Sequence, residues 1–217
     1  MFDILIKSGL VVDGSGTVGF RADVAIEGGR IAEVSLLPAA EAATVMDATG
    51  LVVAPGFIDM HSHADMTLPV CPTADSLVYQ GITTAVVGNC GLTPAPLFED
   101  TRRMVVAAIG GDDAEGLPLD KWGDFGSYLD YLAKIKTSVN VVALTGQGTI
   151  RVGVVGFVAT PPTPEQMARQ QAAVNVAMDQ GAIGQGGVNA RGLEPAGDHG
   201  GLRHATKVPD CLDNNGA

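Results

Sequence analysis

Two histidines two positions apart, His61 and His63, are the residues of this chain whose types and spacing most directly predict chemistry. An apolar run, Leu51–Ala54, and a Pro-Gly turn signal precede them and predict a strand that leads to the pair. Side chains at i and i+2 of a strand share a face, so both imidazoles should converge at its carboxyl end. Open α/β sheets and (β/α)8 barrels place their sites at that edge. Two convergent imidazoles there suit a divalent metal, above all zinc.

Histidine pairs on strands are also common without a metal, when both rings hydrogen-bond to backbone. Three features favour a metal site here, namely the buried strand predicted before the pair, its Pro-Gly entry and the further acid Asp65. Asp65 itself stays open between a role in the site and a position in a solvated loop.

Composition narrows the class of protein. The 217 residues are 46% hydrophobic and 17% charged, which is typical of a globular chain with a sizeable core. The formal net charge of -11 disfavours nucleic acid and anionic membrane surfaces as partners. No apolar run reaches the length of a membrane span, and the alternating residues Met1–Lys7 lack the features of a signal peptide. We therefore predict a cytoplasmic protein that binds neither nucleic acid nor membrane.

Short strands fill the first 54 residues. Gly28-Gly29 is a two-residue hairpin signal between apolar runs. The predicted strands are Asp3–Lys7, Leu10–Asp13, Ala22–Glu27, Arg30–Val34, Thr44–Asp47 and Leu51–Ala54. We interpret residues 1–54 as a small β-sandwich segment.

From Pro55 onward, predicted strands alternate with predicted helices. Further strands are predicted at Ile82–Val87, at Val139–Leu144 and from Gly181 to Gly184, and helices at Ala74–Gln80, Leu97–Ile109, Phe125–Lys136 and from Pro164 to about Gln180. The last helix has a strong start signal in Thr163, Pro164 and Gln166. This order predicts an α/β fold in which residues 55–184 form the first half of a TIM-like (β/α)8 barrel.

Residues 185–217 have a different character. They are rich in Gly, Asp, Asn and Arg and show no sustained apolar periodicity. We interpret them as an irregular tail, with the hypothesis that the reading frame changes after Gly184 and that the chain is a fragment of a longer fold.

Four segments together resemble the metal-dependent amidohydrolase superfamily and, within it, the N-acyl-D-amino-acid deacylases (D-aminoacylases). They are Phe2–Gly14, Ala54–Asp65 with its Pro-Gly-Phe-Ile-Asp-x-His-x-His string, Gln80–Gly91 followed by Pro94–Pro96, and Asn140–Arg151. The His-x-His string marks the superfamily broadly. The Gly-Asn-Cys-Gly string around Cys90 is narrower and points to the D-aminoacylase branch.

The resemblance implies zinc-dependent hydrolysis of the amide bond of an N-acyl-D-amino acid, a small-molecule substrate, to a carboxylate and a free D-amino acid. It also implies that Cys90 is a zinc ligand and that His61 and His63 support a second, often weakly occupied metal position. A thiolate at the end of a strand binds zinc well. The alternative for Cys90 is a small buried hydrophobic residue. In such an enzyme zinc polarises the scissile carbonyl and activates water, while a carboxylate shuttles the proton.

The chain departs from the family pattern after Gly184. The resemblance implies further zinc histidines on the fifth and sixth barrel strands and a catalytic aspartate on the eighth, strands for which we find no counterpart in 217 residues. We therefore assign no catalytic residue and expect the chain to be inactive alone. His199 and His204 match no expected ligand spacing and are interpreted as solvated. Gln147 stands where many relatives carry His.

Two other functions stay open. A cyclic-amide hydrolase, such as a hydantoinase or dihydroorotase, shares the His-x-His strand. It typically uses a carboxylated lysine on the fourth barrel strand, and no lysine lies near Ala182–Gly184. The other alternative is a truncated, non-catalytic metal-binding product. A serine hydrolase is disfavoured because the chain has no Gly-x-Ser-x-Gly string.

Overall fold

The computed structural model describes residues 1–98, 102–103 and 116–187 of the chain. The chain divides into two compact units, with the boundary after Gly56. Most of the predicted helix Leu97–Ile109 and residues 188–217 of the predicted tail, including His199 and His204, lie outside the described residues. Among the described helices, none is long and apolar enough to cross a membrane.

The first unit is a mixed β-sheet. Its strands are β1 (Phe2–Val11), β2 (Phe20–Glu27), β3 (Arg30–Ser35), β4 (Ala42–Asp47) and β5 (Val52–Val53). The order is β3-β2-β1-β4, and β5 also pairs with β1. The β1–β2 and β2–β3 pairs are antiparallel, whereas β4 and β5 run parallel to β1. The hairpin predicted at Gly28-Gly29 is confirmed. The described strands of this unit form a single sheet, and the sandwich stays a prediction.

Strand β1 is continuous where the sequence predicts two strands. The register of its pairing with β2 shifts between Ile6 and Gly9, and Ser8 has a φ of 62°. The buried Asp23 stabilises this bulge because its carboxylate accepts the backbone N–H of Ser8 at 2.7 Å and that of Leu37 at 2.9 Å. The polar Ser-Gly pair therefore marks a bulge rather than a turn.

The second unit contains parallel strands at its centre. These are β6 (Phe57–Ser62), β7 (Ile82–Val87), β8 (Asn140–Ala143), β9 (Thr145–Gly146) and β10 (Gln185–Gly186). Strands β6, β7 and β8 pair in parallel, as do β9 and β10. Backbone bonds from Leu144 N–H to the Val87 oxygen (3.0 Å) and from Thr145 N–H to the Gly184 oxygen (3.0 Å) join both ladders. Four neighbouring parallel segments result, which confirms the predicted partial barrel.

The helices of the second unit cover this sheet. They are α1 (Ala64–Thr67), α2 (Asp75–Val78), α3 (Phe125–Ile135), α4 (Gln147–Val155) and α5 (Pro164–Asp179). Helix α5 begins as predicted, with a capping box between Thr163 and Gln166. The sequence gives no sign of α4, since its glycines and β-branched residues are poor helix formers. Its burial explains the helix, because most of its side chains lie in the interior.

The core of the second unit lies between the sheet and helix α3. Ala85 and Val87 of the sheet and Phe125 and Leu132 of α3 are buried in one cluster. The strand that carries His61 was predicted to be buried, and this is wrong for the described residues. The side chains of Phe57, Ile58 and Met60 are 62%, 60% and 62% exposed, and β6 is an edge strand among the described residues.

Candidate metal centre

The structure brings together the three predicted metal-binding residues, His61, His63 and Cys90. One ligand atom of each lies within 4.8 Å of the others. The Cys90 Sγ is 4.0 Å from His63 Nδ1, and the centroids of the two imidazole rings are 5.8 Å apart. His61 lies on β6 and Cys90 follows β7, so the cluster forms at the carboxyl end of adjacent parallel strands.

Regular alternation of side chains along a strand does not account for the position of His63 in the cluster. Strand β6 ends at Ser62, and His63 is the N-cap residue of α1 with φ −101° and ψ 22°. The register also shifts, since Asp59 pairs with Ala85 and Ser62 with Val87. One extra residue in β6 makes a bulge, which re-aims side chains next to it. The imidazoles therefore converge through a bulge and a turn rather than along a regular strand.

The loop that carries Cys90 lies directly against neighbouring backbone. Asn89 donates a side-chain hydrogen bond to the Met60 oxygen, next to His61. Gly88 has a φ of 86°, and a Cβ on it would lie 2.3 Å from the Leu144 oxygen. A Cβ on Gly186 would lie 1.9 Å from the Gly88 oxygen. Glycine is required at both positions. The close packing of the two glycines fixes the distance between the Cys90 loop and the sheet.

The first turn of α4 holds the other side of the same loop. Thr149 Oγ accepts the backbone N–H of Thr93 at 2.8 Å and donates to the Thr93 oxygen at 2.9 Å. The Thr149 N–H bonds to the Gly91 oxygen at 3.1 Å. Because Thr93 and Thr149 are buried, these bonds have no competition from water and rigidify the segment that follows Cys90.

Asp65 lies in the interior beside the cluster. Its side chain is 1% exposed, and neither carboxylate oxygen has a hydrogen-bond partner among the described residues. Burial raises the pKa of the Asp65 carboxyl to about 7, while His63 acts to lower it and Cys90 to raise it. The solvated-loop alternative for Asp65 is therefore wrong.

Two aromatic residues that the sequence did not single out also contact the site. Tyr128 Oη donates to the Asp65 backbone oxygen at 3.0 Å, and Trp122 Nε1 donates to the Pro94 oxygen at 2.9 Å. The amphipathic pattern of α3 places Tyr128 on the buried face beside Phe125. That pattern does not identify the partner of the hydroxyl, which is 63 positions away along the chain.

The donor set fits a zinc ion. Zn–S and Zn–N bonds of about 2.3 and 2.0–2.1 Å in a tetrahedron place ligand atoms about 3.4–3.6 Å apart. The observed Sγ–Nδ1 distance of 4.0 Å is within a small adjustment of that value. A thiol and two imidazoles favour zinc over magnesium or calcium. His61 and His63 are exposed and Cys90 is partly exposed, so one side of the cluster is open.

Gln147 begins α4 and lines a cavity of about 350 Å³ with Arg151, Gln170 and Gln185. None of the three proposed metal ligands is among the residues that line this cavity.

Comparisons with known proteins agree with the fold. The amidohydrolase family model matches residues 44–185. A D-aminoacylase from Alcaligenes xylosoxydans xylosoxydans is 37% identical over 183 residues, which make up 84% of this chain and 37% of the relative. The structure of N-acyl-D-glutamate deacylase from Bordetella bronchiseptica, complexed with zinc and a phosphonate mimic of the tetrahedral intermediate, aligns with a TM-score of 0.72 at 33% identity. That alignment covers 85% of this chain and 38% of the deacylase.

A structure of D-aminoacylase, studied for its binuclear metal centre, aligns with a TM-score of 0.74 at 32% identity and covers 85% of this chain and 38% of that one. This chain thus spans about 37% of the length of the curated D-aminoacylase that it matches. The family match covers more than half of the chain and includes both histidines and Cys90. The resemblance to the D-aminoacylases is confirmed, and the chain belongs to the amidohydrolase family.

Proposed function

We propose that this chain supplies part of the active site of a zinc-dependent deacylase that hydrolyses N-acyl-D-amino acids to a carboxylate and a free D-amino acid. The observation that carries the proposal is the meeting of His61, His63 and Cys90 within 4.8 Å at the carboxyl end of parallel strands. The substrate class is supported by similarity to the D-aminoacylase and to the N-acyl-D-glutamate deacylase that was complexed with zinc.

Cys90 is the principal ligand in this proposal. A thiolate binds zinc more strongly than an imidazole does and loses its proton on binding. In this chain His61 and His63 supply neutral imidazole nitrogens to the same zinc ion, because all three donors lie within 4.8 Å of one another. Zinc, when bound, supplies a Lewis acid that polarises the scissile carbonyl and lowers the pKa of water. The exposed side of the two imidazoles leaves room for the substrate to approach.

Asp65 supports the ligands from the interior. Its carboxyl group is too buried to meet a substrate that approaches the exposed imidazoles. A carboxylate at this position makes the site more favourable for a cation, because Coulomb interactions are strong where water is excluded. We therefore assign Asp65 a charge-balancing role and leave the proton-shuttling carboxylate to the eighth strand implied by the family resemblance.

The 217-residue chain is proposed to be a poor catalyst when it is alone. Amide hydrolysis needs a complete metal shell, a proton shuttle and a water-excluding pocket together. The described residues provide three donors and the buried Asp65. Each missing catalytic group costs on the order of a hundredfold or more in rate.

The test is an assay of the purified chain with zinc on N-acetyl-D-amino acids, their L enantiomers and a hydantoin, beside a full-length D-aminoacylase. We expect any residual turnover to be slow, specific for the D enantiomer and abolished in Cys90→Ala. Turnover within about tenfold of the full-length enzyme, about 1.4 kcal/mol in barrier, would overturn the proposed inactivity. Preference for the hydantoin would instead favour the cyclic-amide hydrolase.

A further inference from the structure

The separation of His63 from Cys90 is not set by their own strands alone. Both residues lie beyond the ends of β6 and β7, and they are 27 positions apart in the chain. A short turn and a loop can each shift without breaking the sheet. Metal ligands, by contrast, must be held within about 0.5 Å of their productive positions. Asn89 and the close glycine packing hold the Cys90 loop against the sheet. A further contact is needed to fix this loop relative to the turn that carries His63.

Each of these two segments is tied by one buried hydrogen bond to the region where α3 begins. Tyr128 Oη donates to the oxygen of Asp65, two residues after His63, at 3.0 Å. Trp122 Nε1 donates to the oxygen of Pro94, four residues after Cys90, at 2.9 Å. Both bonds are buried, so a displaced carbonyl would lose its partner without gaining water, and displacement is costly.

The two donors contact each other. The rings of Trp122 and Tyr128 pack edge to face with centroids 5.2 Å apart, and the residues are 3% and 1% exposed. A capping box between Asp124 and Ser127 fixes the start of α3 between them. Burial also raises the pKa of the Tyr128 hydroxyl well above its ordinary value, so the group stays a donor at any physiological pH.

We propose that Trp122 and Tyr128 form an aromatic clamp, in which one ring holds the turn of His63, the other holds the loop of Cys90, and their mutual contact sets the distance between the two ligands. Neither residue touches the metal or the substrate, so both are positioning residues. The inference rests on the proposed metal site and adds a device outside it that controls metal affinity.

The test compares three single hydroxyl or indole changes in the 217-residue chain. Tyr128→Phe removes only the hydroxyl, and Trp122→Phe removes the indole N–H while it keeps an aromatic ring. Tyr131→Phe is the matched control, because Tyr131 also packs on Trp122, with centroids 5.3 Å apart, but its hydroxyl donates at 3.3 Å to the oxygen of Pro69, which lies beyond the end of α1. Zinc affinity, the cobalt–thiolate absorption band of Cys90 and metal-free thermal stability are measured for each.

We expect Tyr128→Phe and Trp122→Phe each to lower zinc affinity about tenfold or more, as loss of groups that support metal ligands does. Each change should also reduce or shift the cobalt–thiolate absorption band. The loss of zinc affinity in the double variant should be smaller than the product of the two single losses, because both changes disturb the same spacing of His63 and Cys90. Tyr131→Phe should keep wild-type affinity even where it lowers thermal stability as much as Tyr128→Phe does.

Wild-type zinc affinity and band in both clamp variants would overturn the inference while leaving the metal site intact. An equal loss of zinc affinity in Tyr131→Phe would also overturn the inference, because zinc affinity would then depend only on the thermal stability of the chain. A wild-type chain that binds no zinc would reject the proposed metal site, and the clamp with it.

Discussion

The Sγ atom of Cys90 lies 4.0 Å from Nδ1 of His63, although the two residues follow different strands. The contact exists because β6 and β7 are parallel neighbours, whose carboxyl ends meet at one edge of the sheet.

Zinc bound by this chain should depend on Cys90 more than on His61. Cys90→Ala removes the thiolate and should weaken zinc by more than the 10–100-fold that loss of a merely supporting group costs. His61→Ala should have a smaller effect, because Cys90 and His63 stay in contact. Metal analysis after dialysis compares the two variants. Equal zinc retention by Cys90→Ala and the wild type would contradict the ligand assignment.

The backbone contact under the Cys90 loop should be sensitive to a single methyl group. Gly186→Ala would place a Cβ 1.9 Å from the Gly88 oxygen, so the loop must move and zinc affinity should fall about tenfold or more. Gly187→Ala is the control, because its nearest contact would be an ordinary 3.4 Å to Gln147 Cβ. Zinc titration of both variants is the measurement. Similar affinities would show that the close approach does not position Cys90.

Removal of the buried carboxylate of Asp65 should lower zinc affinity although no proposed ligand is lost. Asp65→Asn keeps the shape of the side chain but cannot carry a negative charge. At pH 8, where a carboxyl with a pKa of about 7 is mostly ionised, we expect about a tenfold loss of zinc affinity. Asp75→Asn, an exposed acid at the start of α2, serves as a control for total charge. If both variants bind zinc equally well, the charge of Asp65 has no special role.

The bulge of β1 gives a prediction about stability and pH. The backbone N–H groups of Ser8 and Leu37 lower the pKa of Asp23, so its carboxylate stabilises the folded state. This stabilisation is complete above the unfolded pKa of about 4 and is lost as the pH falls through the lower folded value. Asp23→Asn should lower the free energy of unfolding by about 1–2 kcal/mol at pH 7. The variant should also lose less stability than the wild type when the pH falls from 7 to 3. Urea unfolding at pH 7 and pH 3 measures both effects.

The exposed Asp47 is the control for this experiment. Among the described residues, its carboxylate accepts hydrogen bonds only from Thr49, two positions along the chain. Asp47→Asn should change the free energy of unfolding by less than Asp23→Asn does. A larger effect of Asp47→Asn would show that local turns, rather than the β1 bulge, control the stability of this sheet.

Local patterns predicted much of this fold. The strand Ile82–Val87 is apolar on both faces and lies where the sequence places it, and the capping residues of α5 identify the start of that helix. The convergence of the two histidines with Cys90 follows from parallel strand order and from the family motif. These features depend on residues within a few positions along the chain or on the repeated alternation of parallel strands and helices.

Other features depend on contacts that are distant in the sequence. Helix α4 forms from residues of low helical propensity because the interior buries them. The backbone oxygen of Asp65 accepts a hydrogen bond from Tyr128, 63 positions away. The bulge of β6 arises from pairing with β7, which no single strand pattern reveals. Tertiary packing determines the conformation at such positions, several of which adjoin the candidate metal centre.

The central claim is that Cys90 and the two histidines bind one zinc site at this sheet edge. X-ray absorption at the zinc edge of the chain loaded with one equivalent of metal tests it most directly. We predict one sulfur at about 2.3 Å and nitrogen ligands at about 2.0–2.1 Å, with the sulfur signal absent in Cys90→Ala. A zinc ion surrounded only by oxygen and nitrogen in the wild-type chain would contradict the account.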